Sequence, residues 1–264
     1  MIDFVFLDSG TGGLPYLLYM KELKPSFSCA YVADTKNFPY GQKTHEEIVQ
    51  GVLDITKKII EKLSPKVIVI ACNTMSVNAL DVVREAYPEI KFVGTVPAIK
   101  TAGDISKKKC IGLLATNSTI NHPYNQDLKN HFASDCKMVL RGDPDLISFI
   151  EHKSFTATEE EKINACLPAV NFFRDNGCDV IILGCTHFLN LRDQMQIASE
   201  PDITVVDSRE GVVNRAISVF GKEGEESRKE EASTLYVTGF SDQKDLAEYE
   251  IICKNYNLIW SGKL

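Results

Sequence analysis

Short, almost uninterrupted apolar runs alternate along this chain with longer amphipathic ones, and this alternation restricts the fold more than any other feature. Val5-Phe6-Leu7, Ala30-Tyr31-Val32, Lys66 to Ala71, Phe92-Val93-Gly94, Cys110 to Ala115, Met138-Val139-Leu140, Asp179 to Leu183 and Ile203 to Val206 are rich in β-branched or aromatic residues and read as strands. Between them, His45 to Leu63 and Glu159 to Asn176 read as helices. In the first of these, Ile48, Val52, Ile55, Ile59 and Ile60 recur at helical spacing. Strands that are apolar on both faces and separated by helices predict parallel sheets covered on each side, an α/β fold. Ligands of open sheets of this kind lie at the carboxyl ends of the strands.

Two strand ends match each other. Val67-Ile68-Val69-Ile70-Ala71-Cys72-Asn73-Thr74 parallels Val180-Ile181-Ile182-Leu183-Gly184-Cys185-Thr186-His187: an apolar strand, a small residue, a cysteine, then polar residues opening a helix. The match predicts two similar α/β halves, each delivering one cysteine to a shared cleft. A thiolate at a strand-to-helix turn is stabilised by helix N-terminal amides. Two thiols on opposite faces of a carbon acid suit one task, in which one removes the α-proton and the other returns a proton from the far side. Taken singly, each is as readily a packed structural thiol.

The chain has 264 residues, enough to bury a substantial core without disulfides or a structural metal. Its formal charge of -7 speaks against nucleic-acid or anionic-membrane partners, and no apolar run is long enough to predict a membrane span. The first residues lack a basic segment followed by a secretory apolar stretch, so a cytoplasmic protein is expected. There are eight cysteines (Cys29, Cys72, Cys110, Cys136, Cys166, Cys178, Cys185 and Cys253), with no CxxC pair, so free thiols are expected rather than a disulfide framework or a zinc ribbon.

Other strand ends carry polar residues. Asp8-Ser9-Gly10-Thr11-Gly12-Gly13-Leu14 follows the first strand and fits a tight turn, a phosphate cradle or a carboxylate cradle equally. Asp8 either caps that turn or orients a thiol or an ammonium group. Asn37-Phe38-Pro39-Tyr40-Gly41 is a rigid turn that either links elements or sets Tyr40 and the Gly41 amide beside a ligand. Asp34, just upstream, reads first as a cap. His187, two residues past Cys185, either satisfies a local hydrogen bond or tunes the thiol. Lys222 to Ser233 is charged and reads as an exposed connection.

Taken together and in order, these stretches resemble the glutamate racemases of the aspartate/glutamate racemase superfamily. The matching pieces are the Asp8 to Leu14 loop, Ala33-Asp34 with Phe38-Pro39-Tyr40-Gly41, Ala71-Cys72-Asn73-Thr74, Val96-Pro97-Ala98-Ile99-Lys100, Ala115-Thr116 with Thr119, and Gly184-Cys185-Thr186-His187. They run from residue 8 to about residue 210; beyond that only the strand end Tyr236-Val237-Thr238-Gly239 matches. The resemblance implies two α/β domains related by a pseudo-twofold axis, with glutamate bound between them. Their expected extents are residues 1–96 plus 208–264 and residues 97–207. It also implies racemisation of glutamate without pyridoxal phosphate or metal, a homodimer, and a cytoplasmic role in supplying D-glutamate for peptidoglycan.

Carried over residue by residue, Cys72 and Cys185 correspond to the proton-transfer thiols, and Asp8 and His187 to the neighbours that assist them. Ser9, Tyr40, Gly41, Asn73, Thr74, Thr116, Thr119 and Thr186 correspond to substrate-holding positions. Asp34 and Glu151 match further acidic positions near the site in some members. Asn37 stands where the family often has Arg, and His122 where it usually has a serine. Two rivals remain at this stage: a racemase for aspartate or another small acid, and an actin-like phosphotransferase suggested by the first glycine loop. The second would need a later glycine-containing phosphate loop, which Asp207-Ser208-Arg209-Glu210 does not supply. A non-catalytic binding module is disfavoured because both cysteines are present with their neighbours.

Overall fold

The computed structural model of the chain describes residues 2–221, 230–240 and 243–264. Most of the expected connection Lys222 to Ser233, namely residues 222–229, lies outside the described residues. Ser233 itself is not part of a loop, because it is buried at the start of a strand.

The chain forms two compact units, Met1–Thr95 with Arg209–Leu264, and Val96–Ser208. In chain order the first unit opens with β1 (Ile2–Asp8), α1 (Leu14–Leu23), β2 (Cys29–Ala33), α2 (His45–Leu63), β3 (Pro65–Ile70), α3 (Asn73–Ala86) and β4 (Lys91–Gly94). The second unit follows with α4 (Ile99–Ile105), β5 (Cys110–Ala115), α5 (Asn117–Ile120), α6 (Pro123–Phe132), β6 (Lys137–Gly142), α7 (Pro144–His152), α8 (Glu159–Asp175), β7 (Val180–Leu183), α9 (Arg192–Ser199) and β8 (Thr204–Val206). The first unit then resumes with α10 (Arg209–Phe220), β9 (Ser233–Val237), α11 (Gln243–Asn255) and β10 (Leu258–Lys263).

Each unit is built on one parallel sheet. The first has strand order β10-β9-β2-β1-β3-β4 and the second β6-β5-β7-β8. Numbering the strands of each unit from its own start, both contain the order 2-1-3-4. The two cysteine-bearing strand ends, after β3 and after β7, therefore occupy the same topological place in their respective sheets.

The helices form for local reasons and are held by burial. Thr44 and Glu47 make a capping box at the start of α2, and Thr158 and Glu161 make another at α8. Ile48, Val52, Ile55, Ile59 and Leu63 of α2 are buried against Val5, Leu7, Val32, Ile68 and Ile70 of the sheet. Each such side chain contributes roughly 1.5–3 kcal/mol relative to exposure. In the same unit, Phe4 of β1, Phe27 and Phe220 of α10 form a cluster with ring centroids 4.9–5.1 Å apart. In the second unit Ile111, Leu113 and Ala115 of β5 and Val180 and Ile182 of β7 share a core with Ile99 and Ala102 of α4.

Candidate active site

In the first unit, three adjacent strands, β2, β1 and β3, bring Asp34, Asp8 and Cys72 to their carboxyl ends. Asp8 is fully buried and organises the glycine loop that follows it. Its Oδ1 accepts from the Ser9 N–H at 2.7 Å, and its Oδ2 accepts from the Gly13 N–H at 2.7 Å. Two amides of the loop are thus bound by the loop's own carboxylate. The Tyr31 hydroxyl, which the sequence did not single out, lies 3.3 Å from Asp8 Oδ2 and 2.9 Å from the Gly10 carbonyl. A Cβ at Gly13 would sit 2.7 Å from the Ala71 carbonyl oxygen, so only glycine lets this loop lie against the end of β3.

Cys72 is the residue that caps α3, with extended backbone and no side-chain capping bond. It is 6% exposed, and its thiol reaches toward Ser9 Oγ at 4.0 Å, the long limit for a sulfur donor. The first turn of α3 begins immediately beyond it, so its thiolate would meet the positive end of the helix dipole, worth about 0.3–1 kcal/mol. Next along, Asn73 is buried and neither its amide nitrogen nor its oxygen has a hydrogen-bond partner. Thr74 is buried beside it.

Asp34 does not act as a side-chain cap. It is buried, and its carboxylate gathers three donors. Oδ2 accepts from the Tyr40 hydroxyl at 2.5 Å and from Asn37 Nδ2 at 2.9 Å, while Oδ1 accepts from Thr238 Oγ1 at 2.7 Å. Burial, then the charge and hydrogen bond of Asp34, push the Tyr40 pKa far above that of a free phenol. Tyr40 therefore keeps its proton and directs it at Asp34, leaving its oxygen able to accept but not to donate elsewhere. Gly41 follows it in a 3-10 turn, Tyr40–Gln42.

In the second unit, the carboxyl ends of neighbouring strands β5 and β7 carry Thr116 and Cys185. The sequence predicts a helix after Cys185, but the structure has a 3-10 stretch, Thr186–Leu191, leading into α9. This thiol has a side-chain neighbour instead. Cys185 Sγ lies 3.5 Å from His187 Nδ1, and His187 Nε2 meets the Glu151 carboxylate from α7 in a short contact. Burial by itself would lower the His187 pKa, but the Glu151 charge and the hydrogen bonds to Cys185 and Glu151 outweigh it and raise the pKa well above 6.5. A protonated His187 therefore bridges the Glu151 carboxylate and the Cys185 sulfur. Thr116 Oγ1 accepts from the Thr119 N–H at 3.1 Å and donates to Thr119 Oγ1 at 2.9 Å. Thr186 is buried next to Cys185.

The two departures noted in the sequence have structural roles. Asn37 bonds Asp34 as described, and His122 caps α6, its Nδ1 accepting from the Tyr124 N–H at 3.3 Å. All eight cysteines are free and buried. Burial pushes Cys29, Cys166 and Cys178 up to about 12 and Cys253 up to about 11, so these four stay protonated at neutral pH. Among the described residues no group of three or more His, Cys, Asp or Glu side chains could hold a metal ion, and no helix is long and apolar enough to cross a membrane.

Known proteins give these two residue groups a context. The Asp/Glu/Hydantoin racemase family model matches residues 20–216. The chain belongs to that family. Within it, the glutamate racemase of Treponema pallidum (strain Nichols) is 39% identical over 262 residues, covering 99% of this chain and 96% of that protein. The glutamate racemase of Shewanella sp. (strain ANA-3) is 34% identical, covering 91% of this chain and 88% of that protein. Among solved structures, Escherichia coli glutamate racemase, in complex with L-glutamate and the activator UDP-MurNAc-ala, matches with a TM-score of 0.86 at 26% identity. That match covers 100% of this chain and 98% of the other. Family membership removes the phosphotransferase reading of the first glycine loop, in which Ser9 and Gly13 amides serve Asp8.

Proposed function

We propose that this protein interconverts L- and D-glutamate without an added cofactor, using Cys72 and Cys185 as two proton-transfer thiols. The observation that carries the reading is the equivalent placement of these thiols, each at the carboxyl end of the third strand of its own sheet of order 2-1-3-4. One thiolate takes the α-proton and becomes a thiol; the other thiol gives its proton to the opposite face of the carbanion and becomes the thiolate. One ionised sulfur is conserved throughout, and the direction of reaction decides which it is. The naming of the curated relatives as glutamate racemases supports glutamate over aspartate.

The α-proton is very weakly acidic, so the site must stabilise developing charge with fixed donors in a dry setting. Asn73 suits this role, since its buried, unpartnered amide offers a donor to a carboxylate and an acceptor to an ammonium group. Ser9, Gly41, Thr74, Thr116, Thr119 and Thr186 complete the substrate-holding set. Tyr40 takes part as an acceptor or through its ring, because its proton is given to Asp34. Asp8 shapes the loop beside Cys72, and His187, held by Glu151, assists Cys185. The family resemblance extends the proposal to a cytoplasmic homodimer that supplies D-glutamate for peptidoglycan.

Each glutamate enantiomer, incubated with the protein in heavy water, is expected to gain deuterium at Cα with inversion. Cys72→Ser and Cys185→Ser should each lower racemisation by at least about a thousandfold, the scale set by losing an acid/base group. Near-normal racemisation by either variant would refute the two-thiol mechanism.

A further inference from the structure

The C-terminal segment reaches the first half-site at one residue. Strand β9 pairs with β2, with Ala33 opposite Val237, and runs straight on to Thr238. There the two segments are stitched together: the Thr238 N–H donates to the Ala33 carbonyl at 3.0 Å, and the Gly239 N–H donates to Thr35 Oγ1 at 3.1 Å. Thr35 Oγ1 in turn donates to the Gly239 carbonyl. The Lys36 N–H donates to Thr238 Oγ1 at 3.0 Å, which orients that hydroxyl so that its own proton goes to Asp34 Oδ1.

A second observation bears on the same group. Gly51 of α2 faces the Tyr40 hydroxyl, and a Cβ there would sit 2.8 Å from the phenol oxygen and 3.7 Å from Asn37 Nδ2. Backbone on one side and the Asp34 carboxylate on the other leave the hydroxyl one placement. Tyr40 and Cys72 share one buried cluster, and the sulfur lies within electrostatic range of the phenol.

We propose that Thr238 is a positioning residue of the racemase site: by donating to Asp34 it fixes the carboxylate that holds the Tyr40 proton away from the Cys72 sulfur. The inference rests on the reading of Cys72 as a proton-transfer thiol. A phenol proton shared with a thiolate would weaken it as a base, as any hydrogen bond to a charged form does. A carboxylate held in place by Thr238 and Asn37 keeps that proton instead.

The test compares purified full-length Thr238→Val, Thr238→Ser, Tyr40→Phe and the Val/Phe double variant, measured from L- to D-glutamate, with melting temperature followed alongside. The equilibrium constant of a racemisation is unity, so kcat/KM changes equally in both directions and one direction suffices. Thr238→Val should lose about tenfold in kcat, the scale of one hydrogen bond, with KM within about twofold. Thr238→Ser should restore activity to within about twofold of the parent, and Thr238→Val should add no further loss to Tyr40→Phe. If Val does not fold, Thr238→Ala is read the same way. Equal losses in Val and Ser, an unchanged Val variant, or a Val loss that persists undiminished beside Tyr40→Phe would overturn the inference and leave the racemase reading standing. A parent protein that does not racemise glutamate overturns both.

Discussion

Cys72 and Cys185 are the same residue in different electrostatic company. Cys185 has an imidazolium at 3.5 Å that is itself paired with Glu151. Cys72 has a helix start, a serine hydroxyl and a phenol whose proton is engaged elsewhere. The His187 pair makes stability depend on pH with a definite sign. Its folded-state pKa is raised, so its contribution is fully present below about pH 6.5 and is lost as pH rises through the elevated value. Glu151→Gln should therefore destabilise most in melts below about pH 6.5 and less as pH rises through the elevated His187 value. A deficit that grows with rising pH would contradict a raised His187 pKa. The sequence made the Cys185–His187 proximity legible because both residues sit on one strand end. It did not pair His187 with Glu151, 36 positions away, or Asp34 with Thr238, 204 positions away, since only the packing of α7 and the pairing of β9 create those contacts.

At the level of elements, the periodicity of five apolar residues located α2 at its observed bounds, and in the folded chain a capping box fixes its start. Its end is less comfortable. Ser64 terminates the helix in the left-handed region, at φ 46°, where a Cβ is disfavoured. Ser64→Gly should stabilise the protein by roughly 0.5–1 kcal/mol, read as a rise in melting temperature; a fall would mean that the serine side chain contributes more than the backbone strain costs. The eight strands that the sequence suggested form within a residue or a few of their expected bounds. Strand β10 escaped notice because Leu258–Lys263 is only partly buried, and an edge strand lacks the apolar run that marks an inner one. The 3-10 stretch after Cys185 also escaped, since Thr186 to Leu191 has the composition of a helix start.

On the scale of the whole chain, the segment after α10 completes the first sheet. Strands β9 and β10 extend it beyond β2, whose five residues are all buried. Truncation after Phe220 would turn β2 into an exposed apolar edge, a template for association. The truncated protein should lose soluble yield and its cooperative thermal transition; a soluble form with the parent's melting temperature would show that the first sheet does not need its last two strands. The shared strand order has a further consequence. The same four-strand plan, used twice, sets a cysteine at the same strand end of each unit while leaving the surroundings of the two sulfurs independent. One unit equips its strand ends with a histidine and a glutamate, the other with a tyrosine, an aspartate and a strand from beyond the repeat.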